Sequence, residues 1–176
     1  MKVARSLQRY LSARQVEFEL VEHPYSEGSF NTAHAADVPL KNLVKAVLFR
    51  DEDFNYVLAV VPASHRVLRY TLDQIFNCHL ELADEEECWH VFPDCLEGAV
   101  PPLGEPYHIH VIWDDELRDS DFLWLEAGDH RNLLKVKTGD FVALMDDAPH
   151  DHISSDKRYH PPPKTLSLPY FAAGWL

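Results

Sequence analysis

Apolar residues recur at helical spacing from the start of the chain. Leu7 and Leu11, with Val3 and Tyr10 at looser spacing, predict an amphipathic helix over 2–14 with basic residues between them. Val16, Phe18 and Leu20 then alternate with Glu17 and Glu19, the period-two signature of a strand over 16–22. His23-Pro24 ends it, because proline has no N–H for a ladder and restrains the residue before it. A short helix is expected over 32–37, capped by Asn31 or Thr32, and Pro39 marks the next loop. Residues 44–50 and 56–62 are two apolar runs joined by the polar stretch 51–55. That combination predicts a hairpin whose strands are covered on both faces.

Further along, 71–76 reads as a helix with Thr71 as cap and Leu72, Ile75 and Phe76 on one side, and 80–82 as a short strand. A helix over 84–89 carries acids in its first turn, where the helix dipole favours them. Strands are expected over 108–113, 122–126 and 133–137, then a helix from Thr138 or Gly139 to Met145. The order lacks a strict βαβ repeat, so the expected class is mixed α/β, a mixed central β-sheet flanked by helices. After Asp146 periodicity stops; residues 149–163 hold His150, His152, His160 and three consecutive prolines. The expected organisation is one globular domain over 1–148 and a Pro/His-rich extension over 149–176, whose apolar end 170–176 docks back on the body or, as the second reading, meets a partner.

Charge narrows the function. With 16 Lys and Arg against 29 Asp and Glu, the net charge of −13 repels polyanions at long range and excludes a general DNA binder. Contact with a nucleic acid needs a local basic cluster, for which Arg5, Arg9, Arg14, Lys41, Arg66, Arg69, Lys135 and Lys137 are the candidates. No stretch approaches the roughly 20 apolar residues that cross a bilayer, and 1–10 has no apolar segment of the signal-peptide kind, so no membrane partner is expected. Three cysteines without a C-x-x-C pair fit a reducing, cytoplasmic setting. His108-x-His110 and His150-x-His152 are the closest approach to a metal motif, short of the three protein ligands of a catalytic zinc. Neither metal nor cofactor is expected. Nucleophile-elbow, P-loop and dinucleotide patterns are missing, and the neighbours Ser64 and His65 have no triad context.

Lys45 carries the strongest chemical signal. It heads an apolar strand, where its ammonium must reach water, a carboxylate or a ligand, since an unpaired buried charge is costly. Two glycine-bearing loops follow. In Gly98-Ala99-Val100-Pro101-Pro102 the glycine lets backbone N–H groups approach a ligand while the prolines stiffen the loop. In Ala127-Gly128-Asp129-His130 a glycine ends a strand beside an imidazole that could donate a hydrogen bond.

Together these segments resemble the YbaK family, related to the editing domain of bacterial prolyl-tRNA synthetases; the likeness spans about residues 16–145. Lys45 stands where that family carries its functional lysine, Gly98–Pro102 resembles its G-x-x-x-P loop, and His130 matches a histidine frequent in the editing-domain branch. The resemblance implies a compact α/β fold and hydrolysis, in trans, of the ester joining a wrong small amino acid to the tRNA 3′ end. Alanine on tRNA-Pro is the first guess. It implies aminoacyl-tRNA as partner through its acceptor end, a synthetase as a second partner, and attack by water or the vicinal ribose hydroxyl without metal or protein nucleophile. Lys45, Gly98 and His130 would be the catalytic set. Ala99, Pro101, Pro102, Gly128, Asp129, Arg66 and Lys135 would bind substrate. The acidity and the extension leave a second expectation, a YbaK-like interaction or regulatory module without deacylase activity.

Overall fold

The structure, a computed structural model, describes residues 2–157. In chain order its elements are α1 (Arg5–Ala13), β1 (Glu19–Glu22), α2 (Ser29–Ala35), β2 (Leu43–Arg50), β3 (Tyr56–Pro62), β4 (His65–Val67), α3 (Arg69–Phe76), β5 (Glu81–Leu82) and α4 (Glu85–Val91). Then follow β6 (His110–Asp114), β7 (Phe122–Glu126), β8 (Asn132–Lys137), α5 (Thr138–Met145), β9 (His150–Asp151) and β10 (Ser154–Asp156), with short 3₁₀ turns on either side of β6. The main sheet runs β1-β8-β7-β2-β3-β6-β9, with β5 attached to β2, while β4 and β10 form a separate antiparallel pair. Parallel β2–β7, β3–β6 and β6–β9 pairs coexist with antiparallel β2–β3, β7–β8 and β1–β8, so the mixed sheet expected from sequence is what forms.

Period-two alternation sends the strand side chains to two faces. One face, with Val44, Leu48, Leu58, Val60, Leu125 and Leu134, is covered by α1 and α5. Leu7 and Leu11 of α1 are fully buried there, each contributing about 1.5–3 kcal/mol of transfer free energy. The opposite face divides. Leu43 and Leu133 pack with Ala33 of α2, while Phe49, Val57 and Ala59 pack with Leu72 of α3. Lys45, on β2 between Leu43 and Val47, falls on the seam between these two clusters.

Several local details differ from expectation. β1 is shorter than 16–22, starting at Glu19. α2 starts at Ser29 behind Gly28, whose φ of 79° is one glycine adopts without strain, and neither Asn31 nor Thr32 is its cap. α3 starts at Arg69, so Thr71 lies inside it. Asp84 caps α4 through a reciprocal bond pair with Glu87, which satisfies two otherwise orphaned N–H groups. His108 is left-handed rather than extended, and β6 begins at His110. Pairing also continues past 148: β9 lies beside β6, and β10 pairs with β4 through Ser154↔Val67 and Asp156↔His65. The rest of the extension, including His160 and the apolar segment 170–176, lies outside the described residues. No helix among the described residues is long and apolar enough to cross a membrane.

Candidate functional site

β2 has a complete partner on only one side. β3 pairs with it from Val44 to Arg50, but β7 meets it only at Leu43 and Val44, and β5 rejoins it at Phe49 and Arg50. Leu48 O accepts the Ala83 N–H. Between these contacts, residues 45–47 form an interrupted ladder, and the Gly98 loop faces the gap. The resulting cleft of about 90 Å³ is lined by Lys45, Glu126, His130, Gly98, Val100 and Thr32, among others. This is well below the roughly 300–1,000 Å³ of pockets that hold drug-sized ligands, so the space suits a small group.

Lys45 donates from Nζ to His65 O at 2.8 Å. Burial, then the nearby positive charges of Lys157 and Arg66, hold its pKa down to about 8. The ammonium stays mainly protonated at neutral pH, close to its titration, and one carbonyl leaves its other N–H bonds available.

The wall opposite is a braced loop. Leu96 N–H donates to Gly128 O at 2.9 Å, Ala99 N–H to Leu96 O at 3.0 Å, and His130 Nε2 to Glu97 O at 2.7 Å. A carbonyl can only accept, so Nε2 carries a proton. His130 is 4 % exposed and touches Tyr25 edge-on at 5.4 Å between ring centroids. Its contacts hold the loop. Gly98 has φ 78°, and its N–H makes no hydrogen bond among the described residues.

Glu126 escaped the sequence reading. It ends β7, lines the cleft, and accepts the N–H groups of Gly128, Asp129 and His130 at Oε1, at 3.1, 3.3 and 3.3 Å. Burial lifts its pKa above the usual glutamate value, with those N–H groups pulling the other way. Thr32, Ser29 and Gly28 of the α2 region were missed as well. A hint was present in the sequence: an acid two residues before a loop glycine is well placed to accept that loop's amides.

The structure separates the expected binding residues. Lys45, Gly98 and His130 converge on one cleft. Ala99 is fully buried with its N–H already engaged, so the expected pair of free amides reduces to Gly98. Pro101 and Pro102 are buried beside Leu103 and do not line the cleft. At Gly128, φ 105°, an added Cβ would approach Ala4 Cβ to 3.0 Å and Cys95 Sγ to 3.1 Å, so only glycine fits. Asp129 accepts from Arg131 and Asn132 N–H at 3.0 and 2.9 Å, shaping its own turn. Lys135 pairs with Glu19 at 3.1 Å and lies over Phe122 and Trp124, away from the cleft. Arg66 is exposed on β4, near enough to act on Lys45.

The surroundings are electrically two-sided. Beyond Gly98 lie Glu27, Glu85 and Glu97, and a hydrogen bond with Glu97 raises the Glu85 pKa. Beyond His65 lie Lys41 and Lys157. Of the basic cluster expected from sequence, Lys41 and Arg66 lie on this side, whereas Arg14 pairs with Glu105 and Arg69 with Asp73. Among the described residues, Asp114, Glu116 and His152 form the one group with metal-type donors. Asp114 there accepts from Glu116 N–H, Ile153 N–H and Ser154 Oγ, and Glu116 meets His65 Nε2 at 3.0 Å. These bonds give Asp114 and Glu116 a structural role.

A mixed sheet opened around a lysine, with a glycine loop and a buried carboxylate at the gap, has the size and polarity to take a small polar ligand. Residues 27–144, more than half of the chain, match the aminoacyl-tRNA editing domain, and the chain belongs to that family. The hypothetical protein APE2540 superposes with a TM-score of 0.77 at 18% identity, covering 86% of this chain and 100% of that one. A candidate trans-editing enzyme for prolyl tRNA synthetase gives 0.74 at 22% identity, covering 86% and 96%. Identities this low establish a shared fold. No curated protein matches the chain.

Proposed function

We propose that this protein is a metal-independent aminoacyl-tRNA deacylase acting in trans, with a small amino acid, alanine on tRNA-Pro first, as the group removed. The observation that carries this is the size and chemistry of the cleft: about 90 Å³, with an ammonium, a carboxylate and an unengaged glycine amide on its walls. Lys45 Nζ, anchored on His65 O, positions the ester. The Gly98 N–H receives the charge that develops on the carbonyl oxygen, where a fixed backbone donor acts without reorganisation. Glu126 Oε2, which none of the three loop amides uses, meets the substrate α-ammonium. Water attacks the carbonyl carbon, the ester C–O bond breaks, and the ribose oxygen leaves with the proton that the water gives up, the vicinal hydroxyl serving to hold the water or relay that proton. His130 is a positioning residue in this reading, since its ring NH holds Glu97 O.

A small cleft supplies what a synthetic site cannot. One methylene gives only about 1–3 kcal/mol of discrimination in a pocket built for the larger amino acid, whereas a cleft too small for the longer side chain rejects it by steric clash. The deciding experiment is single-turnover deacylation of tRNAs charged with alanine, serine, cysteine and proline. Hydrolysis of the small esters with proline spared is expected; no hydrolysis of any would refute the reading.

The acidic flank of Glu27, Glu85 and Glu97 favours a second reading, an interaction or regulatory module, for instance on a synthetase. It requires a folded protein that binds a protein partner and leaves every charged tRNA intact.

A further inference from the structure

A second and larger cavity, about 600 Å³, opens beside His65, the residue whose carbonyl holds Lys45, between α2 and the β4–β10 pair. Phe30, Leu40, Lys41, His65 and Lys157 are among its walls. We propose that it is the subsite for the 3′-terminal nucleotide of an RNA, with Lys157 binding the phosphate and Phe30 stacking on the base. This rests on the deacylase reading and adds to it a segment, 149–157, beyond the residues that match the family.

The geometry joins the two spaces at one turn. Lys45 Nζ binds His65 O and Lys157 Nζ binds Ala63 O, both at 2.8 Å, so two ammonium groups rest on alternate carbonyls of the β3–β4 connection. β10 places Lys157 there, because its pairing with β4 ends at Asp156, the preceding residue. Lys157 and Arg66 each act on Lys45 through space. Like charges gathered on one wall of an acidic protein repel one another, and an anion among them relieves that repulsion. Glu116 and Asp156 also border the cavity; Glu116 is turned to His65.

The apolar part suits a base. Phe30 is 69% exposed although α2 buries its other side through Ala33. Single-stranded nucleic acids are held by cations along the backbone and aromatic rings under the bases. α2 also lines the small cleft, through Ser29 and Thr32. The small cleft and the larger cavity are thus linked through Lys45, which lines the first, and His65, which lines the second and accepts its Nζ–H, as an ester spanning the two requires. A volume of about 600 Å³ is in the usual range for a ligand of nucleotide size.

The test uses the full chain and a fluorescent, uncharged RNA minihelix ending in an unpaired CCA, so that binding is read without hydrolysis. Lys157→Met is expected to weaken binding about fivefold and to flatten the log–log salt dependence by about 0.7, the value for one single-strand phosphate contact. Lys157→Arg should restore both, and Phe30→Ala should weaken binding about fivefold or more without changing the salt slope. Circular dichroism confirms that each variant is folded. No wild-type binding, or wild-type affinity and slope in both Lys157→Met and Phe30→Ala, overturns the subsite. Competition by adenosine 5′-monophosphate at equal strength overturns it in favour of a free nucleotide. Binding with the expected pattern but no deacylation of any charged tRNA retains the subsite and removes the deacylase reading.

Discussion

Lys45→Met separates chemistry from stability. A lysine held at about 8 instead of 10.5 disfavours the folded state below pH 8; the upper bound of that penalty is about 3 kcal/mol. Water on the open side of the cleft screens it to on the order of 1–2 kcal/mol. The bond from Nζ to His65 O opposes it by about 1.5 kcal/mol, the lower figure for a charged donor. Methionine fills similar volume without a charge, so the variant should lie within about 1 kcal/mol of wild type, or about 2–4 °C in Tm. Deacylation should nevertheless fall at least about tenfold, equivalent to 1.4 kcal/mol of transition-state binding. A lysine serving only as a buried ion-pair anchor would behave oppositely, costing about 3–5 kcal/mol of stability on removal. The pH dependence adds a signed test. Lys45 has a depressed folded pKa, so its penalty is complete below pH 8 and fades by about 10.5, where the unfolded chain also loses the proton. Any stability advantage of Lys45→Met must shrink over that window. Wild-type deacylation, corrected for spontaneous ester hydrolysis, should decline as pH rises through about 8. A variant destabilised by more than about 3 kcal/mol, or folded and fully active, refutes the reasoning.

Gly98→Ala forces a β-carbon into φ 78° with His130 Cε1 only at 3.7 Å, so strain rather than crowding sets its cost, about 1–2 kcal/mol by denaturant titration, together with a lower kcat. His130→Ala should lower kcat through a loosened 96–100 loop, and His130→Gln, which can still donate to Glu97 O, should recover part of it; equal loss in both variants would count against a positioning role. Glu126→Gln keeps an acceptor for the three loop amides but loses the charge, so the fold should persist while KM for aminoacyl-tRNA rises; unchanged KM would remove the α-ammonium contact. Activity should survive EDTA, and loss on chelation with recovery on added zinc would point to Asp114, Glu116 and His152.

The elements with long periodic runs were legible in the sequence. The β2–β3 hairpin and α5 fall within a residue or two of their expected bounds because their apolar patterns are continuous. β4, β9 and β10 were not, since two or three residues carry no period and their partners lie far along the chain. Lys45 stood out because a cation among apolar residues conflicts with its neighbours, and conflicts of that kind concentrate at functional sites. Glu126 looked like an ordinary polar strand end, and only the return of residues 128–130 over it makes it a buried carboxylate. Lys135 illustrates the reverse error: its charge is visible in the sequence, its partner Glu19 on a neighbouring strand is not.

The interrupted edge of β2 bears on how such a site can diversify. A strand facing Lys45 could not change there without disturbing register along the whole ladder, because pairing ties each residue to the next. A loop has no register to keep. Val100 can therefore be exchanged for a smaller or larger side chain, widening or narrowing the space by a methyl group at a time, while the hydrogen bonds of residues 96, 97 and 99 continue to fix the loop's path. The sheet sets where the lysine stands; the size of the group that fits beside it rests with a few exchangeable side chains.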